Sequence, residues 1–218
     1  MFKVILHTQW KWSRLLIAAS LVAAFALPIL TVQGFGIADP TVWEARSILR
    51  AAESRSVWYA VLAAGIGLLL ATSVWSADHR GDHVYALSLP VARWRFVVLR
   101  FAAGGLLLLV PVVAFWAGAL LASAALSLPY GLHAYPTALA LRFALATVVA
   151  YAVFFAISSG TTRAAGVVLA IVGGLVVVQV LLHGADVDID FLQDLFGRAV
   201  SWPGPFGVFA GRWALIGV

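Results

Sequence analysis

The chain is expected to fold as an all-α, polytopic membrane helix bundle of five to six spans, and three observations lead there. Of its 218 residues, 63% are hydrophobic and only 11% charged, against roughly 45–50% apolar and about 25% charged in soluble domains. The mean hydropathy is +1.02. The apolar residues also gather into runs near the ~20 residues that a bilayer-spanning helix needs. This composition excludes an ordinary soluble globular enzyme and makes 1–218 a single transmembrane domain.

Residues 1–14 read as an interfacial helix. At helical spacing Lys3, His7, Lys11 and Arg14 share one narrow face, with Phe2, Ile5, Leu6 and Trp12 opposite. A cationic stripe with an aromatic and aliphatic back suits a helix lying at the membrane surface. The apolar run that follows gives a first span over 15–33. Its basic leader is too long, and the run too extended, for a cleaved signal peptide. Residues 38–56 are the most polar stretch; Asp39 before Pro40 marks a helix start, and a short amphipathic helix outside the bilayer leads into a second span over 57–75. A third span is expected over 96–128, about 50 Å long as one helix against ~30 Å of hydrocarbon, with Pro111 inside it. LPYGLHAYPT (128–137) is a turn-rich loop. A fourth span over 138–158, a polar turn SSGTTR and a fifth span over 164–182 follow. Residues 183–205 form a polar excursion, and 206–218 a short or truncated last span.

The formal charge is +5. With the N-terminus in the cytoplasm, Lys3, Lys11, Arg14, Arg80, Arg93, Arg95, Arg100 and Arg163 lie inside. They outnumber Arg46, Arg50, Arg55, Arg142 and Arg198 outside, in keeping with the positive-inside rule. These basic residues flank apolar runs, where they meet anionic lipid heads. No continuous basic stripe suited to phosphate neutralisation is present, so nucleic acid is not an expected partner. Cysteine is absent, which removes disulfides, thiolate metal sites and cysteine nucleophiles.

The segment between the second and third spans carries the functional reading. Asp78-His79-Arg80-Gly81 is an acidic start with a glycine break, Val84, Leu87 and Leu89 supply an apolar turn, Pro90 is a stop, and Arg93-Trp94-Arg95 re-enter the membrane. Such a short amphipathic helix parallel to the bilayer can present its apolar residues to a partner protein; the alternative is a solvated loop ending in snorkelling arginines. With its acidic residue, glycine, LSLPVAR run (87–93) and basic-aromatic re-entry, the segment resembles the first cytoplasmic loop of type-2 ABC exporter permeases, the transmembrane subunits of ATP-binding-cassette transporters. The resemblance extends to topology over nearly the whole chain and to motif over about 78–100. Asp78 stands where the family usually carries Glu, and the final span is curtailed.

The resemblance implies a cytoplasmic coupling helix that docks in a groove of a separate ATP-binding subunit. It assigns charged contacts to Asp78, Arg80 and Arg93, apolar anchors to Leu87 and Leu89, and helix limits to Gly81 and Pro90. It further implies pairing with a second copy or a homologous permease in a bacterial cytoplasmic (inner) membrane, and alternating access driven by the partner's ATP hydrolysis. No cofactor is expected in this chain, ATP and Mg belonging to the partner: there is no G-x-x-x-x-G-K-[ST] sequence, and the only lysines are Lys3 and Lys11. No G-x-S-x-G elbow or H-E-x-x-H pair occurs either, so this chain is not expected to be an enzyme.

Other constellations are weaker. His79 and His83 have i, i+4 spacing but lack a clear third ligand. Asp186, Asp188 and Asp190 begin like a calcium loop, but Phe191 and Gly197 occupy the positions that need Gly and Glu. Within the spans, Thr31, Gln33, Thr147, Tyr151 and Gln179 are candidate pathway-lining groups, although interhelical hydrogen bonding is the commoner use of such residues. Gly65, Gly67, Gly104, Gly105, Gly118, Gly173 and Gly174 permit close helix approach. Almost no charge is expected inside the membrane, which argues against ion coupling and suits a lipidic or amphipathic cargo. The rival readings are a non-transporting scaffold or accessory subunit and a membrane-embedded lipid enzyme.

Overall fold

A backbone in lipid must satisfy its own polar groups, and helices do so within one segment. Most of the described chain uses that solution. A computed structural model describes residues 1–33, 42–80, 92–126, 131–159, 206–210 and 215–217, with 167, 170, 174, 178 and 213 singly, and leaves aside the side chains of 42–48, 76–80, 93 and 217. It holds four long helices: α1 (Phe2–Val32), α2 (Val42–Arg80), α3 (Arg93–Ala124) and α4 (Pro136–Ser159). Each contains a stretch long and apolar enough to cross a membrane. Among the described residues the count is therefore four, not five to six. Most of the expected fifth span, 164–182, lies outside them; Val167, Ala170, Gly174 and Val178 are helical.

Two boundaries differ from the sequence expectation. No break separates 1–14 from the first span, because α1 is one helix of 31 residues. Its buried positions run without interruption through Gln9, Ser13, Ile17, Ser20, Ala24, Pro28 and Thr31, a stripe at the three- and four-residue spacing of a single helix face. Likewise the polar stretch after Pro40 and the second span form one helix of 39 residues, roughly 58 Å long.

The stretch 206–218 is not a span among its described residues. Gly207–Phe209 is a 3-10 turn, and Ile216–Gly217 is a strand, β2, pairing antiparallel with β1 (His133–Ala134) in the α3–α4 connection. Thirteen residues would rise only about 20 Å as a helix, and Gly207 and Gly211 punctuate them. Edge pairing satisfies the backbone instead: the Tyr135 amide donates to the Leu215 carbonyl at 2.8 Å. Trp213, Leu215 and Ile216 are buried.

Two compact units are distinguished, Met1–Phe154 with Arg212–Val218, and Phe155–Gly211. Within the first, contacts fix the helix directions. Gln9 of α1 meets Arg100 of α3, and Phe25 lies against Gly118, so α1 and α3 run the same way. Thr31 meets Tyr59 and Arg100 meets Val74, so α2 runs against both. Phe143 stacks on Phe115, with ring centroids 4.0 Å apart, and Tyr151 meets Phe101, so α4 is antiparallel to α3. Large apolar side chains such as Leu15, Val113, Trp116 and Leu141 face outward, as lipid contact requires.

A layer of interlocked side chains joins all four helices. The Thr31 hydroxyl hydrogen-bonds Tyr59, whose ring meets Phe115 edge-on at 5.4 Å, and Phe115 stacks on Phe143 at an interplanar angle of 3°. Backbones also approach closely. A Cβ on Gly67 would lie 2.7 Å from both the Ala150 Cβ and the Tyr151 amide nitrogen. One on Gly118 would collide with the Phe25 carbonyl of α1, whereas one on Gly105 meets nothing within 4 Å. Gly118→Ala is therefore expected to lower stability by about 1–3 kcal/mol, and Gly105→Ala by less than about 0.5 kcal/mol. Thermal unfolding of the two variants in one detergent tests this contrast.

Candidate functional site

α2 ends and α3 begins at the end of the bundle where α1 begins. Of the residues proposed for partner contact, Asp78 and Arg80 belong to the last turn of α2 and Arg93 is the first residue of α3. A separate helix starting at Asp78 is not present: α2 continues to Arg80 and its last described residue stands immediately before Gly81, the residue type that tolerates a helix stop. Gly81, Leu87, Leu89 and Pro90 lie outside the described residues.

Just beneath this connection a polar cluster lies inside the bundle. Arg100, two turns into α3, is only 8% exposed. Its Nη2 donates to the Val74 carbonyl of α2 at 2.7 Å. The guanidinium lies 4.6 Å from the centroid of the Trp75 ring and 5.3 Å from that of Phe96, within cation–π range. Its own main-chain carbonyl accepts a hydrogen bond from Gln9 Nε2 of α1 at 3.2 Å. Gln9 is buried, with Oε1 lacking a hydrogen-bond partner among the described residues, and its carbonyl accepts from Ser13 Oγ at 2.6 Å. On the remaining side, Tyr151 of α4 lies across Gly104, stacks on Phe101 with centroids 5.2 Å apart, and donates to the Phe101 carbonyl at 3.3 Å. Four helices thus meet at one cationic side chain and its neighbours.

Among the described residues Arg100 is the one charged side chain that is buried. Arg100 belongs to the third apolar helix and is buried against α2. A buried guanidinium needs its donors placed on acceptors and its faces on aromatic rings. Both conditions are met here by α2 and by Phe96 one turn earlier on α3. The spacing of Gln9, Ser13, Ile17 and Ser20 could have revealed the polar half of the α1 face. Nothing in the local sequence pairs Gln9 with Arg100, because their contact spans 91 positions.

The expected pathway residues are dispersed. Thr31 donates to the Pro28 carbonyl at 2.8 Å and meets Tyr59. Thr147 donates to the Phe143 carbonyl in its own helix at 2.7 Å. Thr147 and Tyr151 are fully buried, and of the two Tyr151 bonds across to another helix. Gln33 is exposed at the end of α1, and Gln179 lies outside the described residues. At this opposite end, Arg55 Nη1 donates to the Thr31 and Gln33 carbonyls, both at 3.0 Å, and so caps the negative pole of α1. Arg142 lies 4.8 Å from the centroid of the Trp213 ring.

Among the described residues, no group of three or more His, Cys, Asp or Glu side chains is placed to hold a metal ion. The cluster offers a mechanical connection between helices. No protein-family model, curated protein or solved structure matches the chain.

Two substitutions separate the roles of Arg100 and Gln9. Arg100→Ala is expected to cost about 2–4 kcal/mol, since it removes a buried charged hydrogen bond and two ring contacts. Gln9→Leu removes a buried amide with an unsatisfied oxygen and is expected to leave stability unchanged or raised. Unfolding followed by tryptophan fluorescence measures both, and equal losses in the two variants would contradict this division.

Proposed function

We propose that the chain is a transmembrane permease subunit of an ABC exporter, moved by separate ATP-binding subunits that dock on the α2–α3 connection. The observation that carries this reading is the Arg100 clasp. Helices α2 and α3 lead into and out of the segment that resembles a coupling helix, and Arg100 fastens them together beneath it. A push on the segment would then move α2 and α3 as a pair. Gln9 and Tyr151 connect that pair to α1 and α4, so the displacement becomes a tilt of the bundle, as alternating access requires.

In this reading the segment 78–93 and the N-terminus face the cytoplasm, which agrees with the basic residues at that end. Asp78, Arg80 and Arg93 make charged contacts with the ATPase, and Leu87 and Leu89 fill its groove. A second copy or a homologous permease completes the translocation route. The cargo is lipidic or amphipathic, because Arg100 is engaged by Val74 and two aromatic rings while the helix surfaces around it are otherwise mainly apolar.

Affinity purification of the full chain from its native membrane, followed by mass spectrometry, tests the reading. A P-loop ATPase is expected in the complex. Its retention should fall about tenfold in Leu87→Ala and in the double charge reversal Asp78→Arg/Arg93→Asp, as truncation of a central contact does. Recovery of the chain without an ATPase, or undiminished binding and stimulation by these variants, refutes it.

A further inference from the structure

Outside the Arg100 cluster, the first turns of α1 and α3 expose a second feature that the proposed transport role does not use. Lys3, His7, Lys11 and Arg14 on α1 and Arg95 on α3 are all exposed. The Gln9–Arg100 hydrogen bond sets the two helices in parallel register, so these cations surround one end of the bundle. Neither helix has an acidic residue in its first turn, and the sequence carries no Asp or Glu over 1–38 or 83–185. The carboxylate among the described helical residues at this end is Asp78, in the last turn of α2.

Apolar surface is exposed among these charges. Trp10, Trp12 and Trp94 face outward, Trp94 being 64% exposed, and so do Val4 and Leu15. The Arg95 guanidinium lies 5.3 Å from the centroid of the Trp94 ring. The vertical placement is also informative. Leu15–Val32 is free of charge and rises roughly 27 Å, close to the ~30 Å hydrocarbon thickness. Arg14 therefore marks the hydrocarbon boundary, and Lys3 to Lys11 stand in and beyond the headgroup layer.

We infer that the N-terminal turns of α1 and α3 bind the phosphate headgroups of anionic phospholipids. Ammonium and guanidinium donors match phosphate oxygens. Indole rings favour the depth at which headgroup meets acyl chain, and Leu15 needs an apolar cover that a free anion or a nucleic acid does not provide. One molecule with a negative head and a hydrocarbon tail satisfies both surfaces. The inference goes beyond the exporter reading and does not depend on it.

Native mass spectrometry of the delipidated full chain, with phosphatidylglycerol or phosphatidylcholine of matched acyl chains added back, tests it. Phosphatidylglycerol is expected to be retained at least about tenfold more strongly, each Lys or Arg near an anionic surface contributing about fivefold. The triple variant Lys3→Gln/Lys11→Gln/Arg14→Gln should lower this preference to the roughly fivefold that Arg95 supplies. Arg95→Gln, which leaves α1 unaltered, should lower it about fivefold, while Lys3→Arg/Lys11→Arg and, at the opposite end, Arg50→Gln should preserve it. Equal retention of the two lipids by the unaltered chain overturns the inference. So does an unchanged preference in the triple and Arg95 variants, or full displacement by millimolar inorganic phosphate, which would identify a site for free anions. The readout needs no ATPase, so its failure leaves the exporter reading to its own test.

Discussion

Helices in lipid gain little by hiding apolar surface from each other, because acyl chains are as apolar as leucine. Association must come from close backbone approach and from polar groups with nowhere better to go. This bundle relies on both. Gly118 admits the Phe25 carbonyl, Gly67 admits α4, and Arg100 reaches the Val74 carbonyl and the Trp75 ring because α2 and α3 lie side by side. The Arg100 clasp is the most demanding of these contacts, since moving α2 away would take the Val74 acceptor and the Trp75 ring face from a buried cation.

The two ends of the bundle are built differently. Along α3, Phe115 stands about 22 Å from Arg100. Around Phe115 the four helices meet through Thr31, Tyr59 and Phe143 in a layer that is mostly aromatic. Around Arg100 they meet through a cation, an amide, a phenol and main-chain carbonyls. An aromatic layer loses little when it slides slightly, because dispersion is shared over many atoms. A guanidinium hydrogen bond is directional and weakens steeply with misalignment. The Arg100 end is therefore the part that keeps α2 and α3 in register, and the Phe115 end is the part that can adjust.

The helical architecture was legible because composition and run length act locally: each span declares itself by its own residues. The ends of α3 and α4 fall within a few residues of expectation for that reason. The junctions inside α1 and α2 are hidden in the sequence, because an amphipathic and an apolar segment differ in pattern yet share one helix. A helix passes from one to the other without penalty when no Gly or Pro intervenes, as between Arg14 and Leu15. Arg100 was counted only as a flanking charge. Its role depends on Val74, Trp75 and Gln9, which are remote in sequence, and no local period reports such a meeting. The β1–β2 pairing was hidden for the same reason: two-residue strands have no pattern, and theirs joins His133–Ala134 to Ile216–Gly217.

The placement of polar groups also bears on how force could pass through the molecule. On the proposed reading the motor acts on residues between α2 and α3, and a connection there is useful only if both flanking helices respond. Without a fastening, a push would splay the helix ends and dissipate in the loop. A fastening at the far end would act as a pivot and leave the driven end loose. Arg100 stands about 10 Å from the start of α3, and Val74 about 9 Å from the end of α2, so the clasp lies close to where force would enter. The aromatic layer then lies on the far side, where rotation is easiest. Such a lever would serve transport, and an accessory subunit would have less need of a buried cation in the same place.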